Sequence, residues 1–510
     1  MKRSRDHQAV PLADRLPAHR RSVRIELDRP MELAPVLGDR LDYGRFADLI
    51  VDTSGRLAAE GVGAGSTVAI VKQNGLDICA LGLAAQRIGA VPALLSGTLA
   101  PADVAALLTA LRPALLVTDR ATTRDGALAG IDLDGLVSRT WIVDDHSRGL
   151  ASWTGEPPAP FMARSPDLPS LITHTSGTTG IPKLVVQSTA SLRATVRVNT
   201  KAARLLRLRG GVAARLSYVH VRSMAGITAM LELTAPLLAL TTQHPPTAVA
   251  ALRAFKPFLV EANPADYVDW EPVIASSDAP LAGVQYFINN FDAAHPRTVK
   301  ALLRASDRRH PVYVQVYGQS ESGPVTMRAD TRSTAEHSDG RCVGFPVPGH
   351  SHVRIAASGT IEVRSKGLAL DYLGRHDEFA AKFDGRWWDM GDVGARTRWG
   401  CLHLLDRAVD AADDVPSLLA IEDQLLERIP TLQEVVLVNG VCHLPTPLVC
   451  TYDGSPLAAE TWARVVEDLP ALAEPVYCRT DQLPRTATGK VQRYRLAEQL
   501  RSGASEGRRT

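Results

Sequence analysis

Segments with the apolar spacing of strands alternate with segments that have the spacing of helices, and this alternation restricts the fold more than any other feature. After Pro101, apolar residues recur on one helical face as far as Leu111, and Pro113 ends that helix. The order of the segments predicts an α/β fold. The predicted helices are 46–60, 101–111 and 421–428, and the predicted strands are 66–71, 114–118, 140–143 and 435–438.

The chain has 510 residues, which is long for one hydrophobic core and predicts two or more domains. The patterning near the end predicts a second α/β domain over roughly the last hundred residues. Residues 1–30 carry Pro11, Pro17, Pro30 and many charges, so we expect them to be loosely structured. Residues 501–510 are small and polar, and we expect them to be disordered.

The charges of the chain are close to balanced: 57 Lys and Arg against 55 Asp and Glu give a net charge of 57 − 55 = +2. This balance leaves no large excess of positive charge to attract nucleic acid or an anionic membrane, and neither partner is expected. The longest apolar stretch, 80–95, is interrupted by Gln86, Arg87, Gly89 and Pro92, which does not suit a membrane span. The basic start of the chain lacks the apolar run of a secretory signal, so a cytoplasmic location is expected.

The six cysteines form no C-x-x-C pair. We therefore expect them to be buried free thiols in a reducing compartment, and not a disulfide or metal framework.

Residues 173–183, Thr-His-Thr-Ser-Gly-Thr-Thr-Gly-Ile-Pro-Lys, form a loop rich in Gly, Ser and Thr between two strand-like segments. Such a loop offers backbone N–H groups and hydroxyls to an oligophosphate, and its glycines permit close approach of the backbone. The spacing is not that of a Walker A motif. Taken alone, the segment also fits a flexible surface loop.

Four more segments follow this loop, and together the five resemble the motifs of the adenylate-forming superfamily in order and approximate spacing. That superfamily includes acyl-CoA synthetases, aryl-acid ligases, peptide-synthetase adenylation domains and beetle luciferases. The similarity extends over nearly the whole chain, from Leu41 onward. The four segments are Y-G-Q-S-E at 317–321 for Y-G-x-T-E, W-D-M-G-D at 388–392 for W-x-T-G-D, Asp406-Arg407 at the hinge, and P-R-T-A-T-G-K at 484–490 for P-R-T-x-x-G-K.

The resemblance implies how ATP and Mg²⁺ are bound. Glu321 would hold Mg²⁺, a hard cation that prefers carboxylate oxygen. Tyr317 and Gly318 would lie near adenine, Asp392 would accept the ribose hydroxyls, and Arg407 would support ribose or phosphate. The residues implied to bind the β- and γ-phosphates are Thr175, Ser176, Gly177, Thr178, Thr179, Gly180 and Lys183.

The resemblance also implies the groups that act in catalysis. Lys490 would bridge the attacking carboxylate and the α-phosphate of ATP, where negative charge builds up in the transition state. Ser320 occupies the motif position at which the family has Thr, and it joins Glu321, Lys183 and Lys490 in the implied catalytic set.

The implied acid pocket departs from the family pattern. Where the family often shows H-x-x-G, this chain has Ser223 and Gly226, with His220 and Arg222 close by. The family's small S-G-G-A segment is replaced by a segment that contains Asn289, Asn290 and Phe291. Phe291 in place of Gly would shorten the acyl tunnel, which favours a small or flat substrate. Whether His220 and Arg222 contact an anion or lie on an ordinary surface strand stays open.

The segment after the hinge departs most clearly from the family pattern. The family's I-K-x-x-G, which lines the pantetheine tunnel, is absent, and the helical glutamate corresponds to Glu422. Asp413 and Asp414 put negative charge where a phosphate-bearing cofactor would approach. We expect the adenylation step to be intact and CoA transfer to be weak, lost or differently built. A diverged loop that still serves CoA is the alternative.

The implied architecture is α/β, with a large N-terminal domain of mixed sheets flanked by helices over 1–405. A small mobile α+β domain over 406–510 would carry Lys490.

The expected function is ATP-dependent activation of a small acid as its adenylate, with CoA or a carrier-protein thiol as the acceptor left open. One alternative is an adenylating enzyme without CoA, which joins the acid to an amine or activates nitrite to diazotise an aryl amine. Another is a non-catalytic nucleotide-binding relative.

Overall fold

The computed structural model describes residues 14, 16–145, 157–175, 182–275, 278–289, 291–338, 340–412, 415–439, 441, 443–486 and 489–506, the last four by their backbone alone. Its helices are α1 Ala18–Arg21, α2 Tyr43–Ala59, α3 Asp77–Arg87, α4 Pro101–Leu111, α5 Arg120–Arg124, α6 Thr189–Leu205, α7 Val221–Leu233, α8 Pro245–Phe255, α9 Pro264–Ala275, α10 Pro296–Ala305, α11 Arg332–Ala335, α12 His376–Ala380, α13 Leu418–Arg428, α14 Ala459–Val466 and α15 Arg493–Glu506.

The strands of the same residues are β1 Arg24–Leu27, β2 Arg40–Asp42, β3 Thr67–Lys72, β4 Val91–Ser96, β5 Leu115–Thr118, β6 Thr140–Ile142, β7 Pro169–His174, β8 Leu184–Ser188, β9 Val212–Arg215, β10 Leu237–Leu240, β11 Leu259–Ala262, β12 Tyr286–Asn289, β13 Val312–Gln319, β14 Gly323–Asp330, β15 Cys342–Pro346, β16 Ser351–Ile355, β17 Thr360–Ser365, β18 Asp371–Tyr372, β19 Phe383–Asp384, β20 Trp387–Arg396, β21 Leu402–Arg407, β22 Leu432–Val438, β23 Thr446–Thr451 and β24 Val476–Tyr477.

Three sheets are formed by the strands that the structure describes. A seven-stranded sheet has the order β18-β8-β7-β4-β3-β5-β6, and its β7, β4, β3, β5 and β6 are parallel. A fourteen-stranded sheet has the order β16-β17-β20-β21-β15-β14-β13-β12-β11-β9-β10-β1-β2, with β19 beside β20. The third sheet, β22-β23-β24, lies near the end of the chain. The α/β fold class is therefore confirmed.

The largest core lies between the two big sheets and is filled by the apolar faces of α2, α3 and α7. Helix α2 begins where the Asp42 side chain accepts a hydrogen bond from the Arg45 N–H at 2.8 Å, and it buries Phe46 and Leu49. On the other face of the seven-stranded sheet, α4 buries the apolar positions that predicted it from the sequence. These packed helices fix the ends of the parallel strands.

The start and the end of the chain are more ordered than we predicted. Within the supposedly loose residues 1–30, β1 pairs with β10 and β2 because Ile25 and Leu27 alternate into the core. Helix α15 continues to Glu506, well into the segment that we expected to be disordered. Its residues Leu496 and Ala497 are buried against the third sheet, so packing offsets the polar composition. Both expectations were wrong for these parts.

The cysteine prediction was wrong for one pair. Cys342 and Cys401 form a disulfide with a Cα–Cα distance of 6.2 Å, because β15 and β21 are antiparallel neighbours. Cys79, Cys450 and Cys478 are free, and Cys442 lies outside the described residues. Among the described helices, none has the length and apolar composition needed to cross a membrane.

The third sheet is covered by α13 and α14 on one face and by α15 on the other. Glu422 on α13 connects the two faces: its carboxylate pairs with Arg493 at 2.6 and 2.9 Å and accepts the Leu437 N–H at 2.6 Å. Glu422 is buried. Removing one partner of a buried, hydrogen-bonded charge pair is strongly destabilising, because the other charge stays buried without compensation.

We predict that Glu422→Gln destabilises the region of the third sheet by about 3–5 kcal/mol, because Arg493 loses its buried counter-charge. Thermal unfolding and limited proteolysis of residues 415–506 measure this effect. The exposed Glu498→Gln, on α15, should change stability by less than about 0.5 kcal/mol. Equal stability of the two variants would contradict the structural role of Glu422.

Candidate functional site

A cavity of about 280 Å³ opens where β9, β12 and β13 end at their carboxyl ends. Such a position is a common place for ligands in parallel α/β sheets. Ten of the predicted site residues line it: Thr175, Lys183, His220, Arg222, Phe291, Gly318, Ser320, Glu321, Arg407 and Lys490. The five motifs are distant in sequence, and the fold brings residues of each to this one place or next to it.

The ends of the Gly/Ser/Thr-rich loop are held together at the cavity. The Thr175 N–H donates to the Lys183 carbonyl at 2.9 Å, and the Lys183 N–H donates to the Thr175 hydroxyl at 3.0 Å. β7 and β8 therefore bring the two ends of the loop together. Ser176, Gly177, Thr178, Thr179 and Gly180 lie outside the described residues, as does Asn290 of the implied acid pocket.

Lys183 and Glu321 meet through Tyr372 of β18. The Lys183 Nζ lies 2.8 Å from Glu378 and 4.9 Å from the centre of the Tyr372 ring. The Tyr372 hydroxyl donates to Glu321 Oε1 at 2.7 Å, and Glu321 is buried in the turn between β13 and β14. This arrangement places a cation over the face of one aromatic ring and a carboxylate at its hydroxyl, next to the ends of the Gly/Ser/Thr-rich loop.

Tyr317, Asp392 and Arg407 form a second group beside the cavity. The Tyr317 hydroxyl donates to Asp392 Oδ2 at 2.6 Å, and Arg407 Nε lies 3.8 Å from Asp392 Oδ1. Asp392 and Arg407 face each other across β20 and β21. Burial raises the pKa of Asp392, and the Arg407 charge and the Tyr317 hydrogen bond oppose that rise. A Cβ at Gly318 would overlap the backbone carbonyl of Gly323, so this approach requires glycine.

Lys490 reaches the cavity from a tight turn before α15. The Thr486 N–H donates to the Lys490 carbonyl at 2.9 Å, and Gly489 adopts a φ of +81°, which glycine tolerates. Arg485 holds the turn through the Gly489 carbonyl and an ion pair with Glu434 of β22. Desolvation lowers the pKa of Lys490, although the nearby Asp292 carboxylate opposes this. The turn thus presents a half-buried ammonium group to the cavity.

The cavity is strongly cationic. Its described lining contains five cationic side chains and one carboxylate, that of Glu321. This excess of positive charge favours binding of a polyanion, because negative charge reduces the repulsion among the clustered cations. The five cations are Lys183, Arg222, Lys382, Arg407 and Lys490.

An aromatic group lies at the part of the cavity where the acid pocket was predicted, and its His220 and Phe291 belong to the lining. The His220 ring lies 5.3 Å from the His174 ring and 5.1 Å from the Phe291 ring. Phe291 has a φ of +67°, in the left-handed region that favours glycine. The chain therefore maintains an unfavourable backbone conformation that places this ring against His220.

The remaining predicted pocket residues lie in different places. Arg222 lines the cavity and pairs with Glu261 at 2.6 Å. Ser223 is fully buried, and its hydroxyl donates to the Ser217 carbonyl at 2.6 Å, away from the lining. Gly226 and Asn289 are also absent from the lining.

Sequence reasoning missed part of the lining. Thr195, Val198 and Asn199 of α6 line the cavity, and their i, i+3, i+4 spacing on one helical face was the available signal. Asn199 Oδ1 accepts a hydrogen bond from Arg222 at 2.9 Å. Tyr372 and Lys382 were also missed, because they lie outside the five motifs.

Comparison with known proteins gives the following likenesses. The AMP-binding enzyme family matches residues 20–372. The 3-amino-2-hydroxy-4-methoxybenzoate diazotase of Streptomyces cremeus is 38% identical over 514 residues, covering 94% of this chain and 93% of the relative. A 4-chlorobenzoate–CoA ligase of Arthrobacter sp is 26% identical, covering 96% and 95%. The structure of ATP-bound MatB from Rhodopseudomonas palustris shares the fold with a TM-score of 0.79 at 19% identity, over 96% of this chain and 99% of that one.

The lowered pKa of Lys490 predicts an alkaline loss of activity. If the ammonium form is required, kcat/KM for ATP should fall as pH rises through that pKa, which lies below the ordinary value of 10.5. Lys490→Arg, whose guanidinium stays protonated, should be slower but should lack this alkaline loss. An unchanged alkaline profile in the arginine variant would contradict the assignment to Lys490.

Proposed function

This chain belongs to the AMP-binding enzyme family, and on that basis we propose that it is a diazotase that adenylates nitrite with ATP and transfers the nitrosyl group to an aryl amine. The observation that carries this proposal is the aromatic closure at the acid end of the cavity. Phe291, held at a φ of +67° against His220, fills space that a long acyl chain would need. We propose that this part of the cavity takes a small anion such as nitrite.

The pattern of sequence similarity supports the same assignment. A diazotase is 38% identical over 94% of this chain, whereas a CoA ligase that covers it equally well is 26% identical. The diazotase name specifies a substituted aminobenzoate as the substrate of that relative. For this chain we propose an aryl amine of that general class.

The cavity residues fit ATP with Mg²⁺. The five cations would neutralise a triphosphate, and the Tyr317–Asp392 pair would fix the nucleoside, with the Asp392 carboxylate accepting ribose hydroxyls. Glu321 would hold Mg²⁺ through carboxylate oxygen, and the metal would supply further charge neutralisation at the phosphates. The hydrogen bond from Tyr372 keeps the Glu321 side chain in place for that role.

In the first step we propose that a nitrite oxygen attacks the α-phosphorus of ATP. A new P–O bond forms, the bond to the β-phosphate oxygen breaks, and pyrophosphate leaves with the electron pair. Lys490 would contact both anions, because its ammonium lies among the groups that surround the cavity. A preorganised cation at this point lowers the repulsion between nitrite and phosphate.

In the second step we propose that the amine nitrogen attacks the nitrosyl nitrogen, so AMP leaves and CoA takes no part. The segment after Asp406 lacks the Lys and Gly of the family pattern, and Glu422 is committed to Arg493. Asp413 and Asp414 lie outside the described residues. We further propose that 1–405 and 406–510 act as separate domains and that the second, mobile domain positions Lys490.

The competing function is activation of a carboxylic acid for transfer to an amine, CoA or a carrier-protein thiol. The 26% identity with a 4-chlorobenzoate–CoA ligase favours this candidate. It would require an aryl acid flat enough to pass Phe291.

We expect ATP and Mg²⁺ to yield pyrophosphate when nitrite is present, at a rate that CoA does not change. Lys490→Ala should lower that rate by about 10²–10³, because one preorganised donor is lost. The matched control is Lys201→Ala, an exposed lysine on α6, which should retain the full rate. Release that requires an aryl acid and CoA, with no response to nitrite, would contradict the proposal.

A further inference from the structure

His220 has a buried ring nitrogen that the architecture leaves unused. The residue is 3% exposed, and its Nε2 has no hydrogen-bond partner among the described residues. An unpaired buried polar atom costs about 1–3 kcal/mol, so native proteins rarely keep one without a reason. Because His220 also lines the cavity, a ligand is the natural partner of that nitrogen.

The neighbouring histidine cannot take this role. His174 Nδ1 lies 2.9 Å from the Thr175 carbonyl, which must accept, so the proton is on Nδ1. Its Nε2 then accepts the Ser96 N–H at 3.2 Å. Both nitrogens of His174 are therefore occupied, whereas the adjacent His220 ring keeps one nitrogen available.

The surroundings keep the His220 imidazole neutral. Burial lowers its pKa well below the ordinary value, and the adjacent His174 and the ammonium of Lys490 lower it further. His220 also directly precedes α7 (Val221–Leu233), where the positive end of the helix dipole disfavours an imidazolium. A neutral ring has one nitrogen lone pair, which can accept a proton.

We infer that His220 is the base that removes a proton from the aryl amine as the amine attacks the nitrosyl group. This inference rests on the proposed function. The inference follows from the unpaired Nε2 and from the position of His220 in the cavity lining. His220 also contacts the Phe291 ring, and a flat aromatic substrate can stack on Phe291.

The chemistry balances with His220 as a shuttle. The N–N bond forms, the bond between the nitrosyl nitrogen and the AMP oxygen breaks, and AMP leaves with the electron pair. One amine proton passes to Nε2, which leaves an N-nitrosamine. Its tautomer, the diazohydroxide, takes the proton back from His220 and loses water to give the diazonium ion. No oxidant or reductant is consumed, and His220 returns to its neutral form.

The test separates the two steps. His220→Gln should affect nitrite-dependent exchange of pyrophosphate into ATP far less than the amine step, because Nε2 is used as a base only after the adenylate has formed. It should slow aryl amine consumption in a single turnover by about 10²–10³, as expected for loss of a general base. His244→Gln removes a histidine that precedes α8 outside the cavity lining and should leave both rates unchanged.

Equal loss of both rates in His220→Gln would indicate a structural or nucleotide-binding role and overturn the inference, as would retention of both. If that variant fails to fold, His220→Ala with added imidazole replaces it. Recovery of the amine step with imidazole concentration supports the base, and no recovery overturns it. Absence of nitrite-dependent exchange in the unaltered protein would overturn the proposed function itself, and this inference with it.

Discussion

Repulsion among the cations that converge on one cavity is the constraint on which the rest of the site depends. Three of them are balanced by carboxylates: Lys183 by Glu378, Arg222 by Glu261 and Arg407 by Asp392. The pKa of Lys490 is lowered chiefly by desolvation; Asp292 opposes this, and the Arg407 charge adds to it. A polyanion that entered would relieve the remaining positive charge, so binding energy and charge balance act in the same direction.

The position of Lys490 depends on a junction at the end of β21. Asp406 accepts the backbone N–H groups of Leu418 at 2.9 Å and Leu419 at 3.2 Å, and so caps the start of α13. Burial raises the pKa of Asp406 to about 6. Close to this junction, His295, which precedes α10, contacts Asp423 of α13 at 2.6 Å. On the proposed division at residue 406, the contact between His295 and Asp423 joins the two domains, and a polar contact of this kind can separate during a catalytic cycle.

Local patterns predicted local structure well. The helix after Pro101 was predicted from its apolar face, and α4 begins at that residue and ends at Leu111. The order of strands could not be predicted, since β1 lies beside β10 only because of contacts across about two hundred residues. The disulfide between Cys342 and Cys401 has the same cause, because no local spacing indicates which strands become neighbours.

In the candidate site too, local motifs predicted some residues, whereas others depend on three-dimensional packing. Lys183, Glu321 and Lys490 were predicted from sequence motifs, and the structure brings them to one cavity. Asn199 was missed although its helical spacing was available, because spacing alone does not show that a face lines a cavity until the partner Arg222 is known. The unpaired Nε2 of His220 is likewise a property of three-dimensional packing, and no sequence pattern reveals it.

Transfer of the nitrite nitrogen to an amine can be followed with an isotope. The protein would be incubated with ATP, Mg²⁺, CoA, an aminobenzoate and nitrite labelled with ¹⁵N, and any diazonium ion would be trapped by coupling to an electron-rich arene. The account predicts an azo product that carries one labelled nitrogen and forms only when ATP is present. An unlabelled amide or thioester made from the carboxylate of the aminobenzoate, with no azo product, would contradict it.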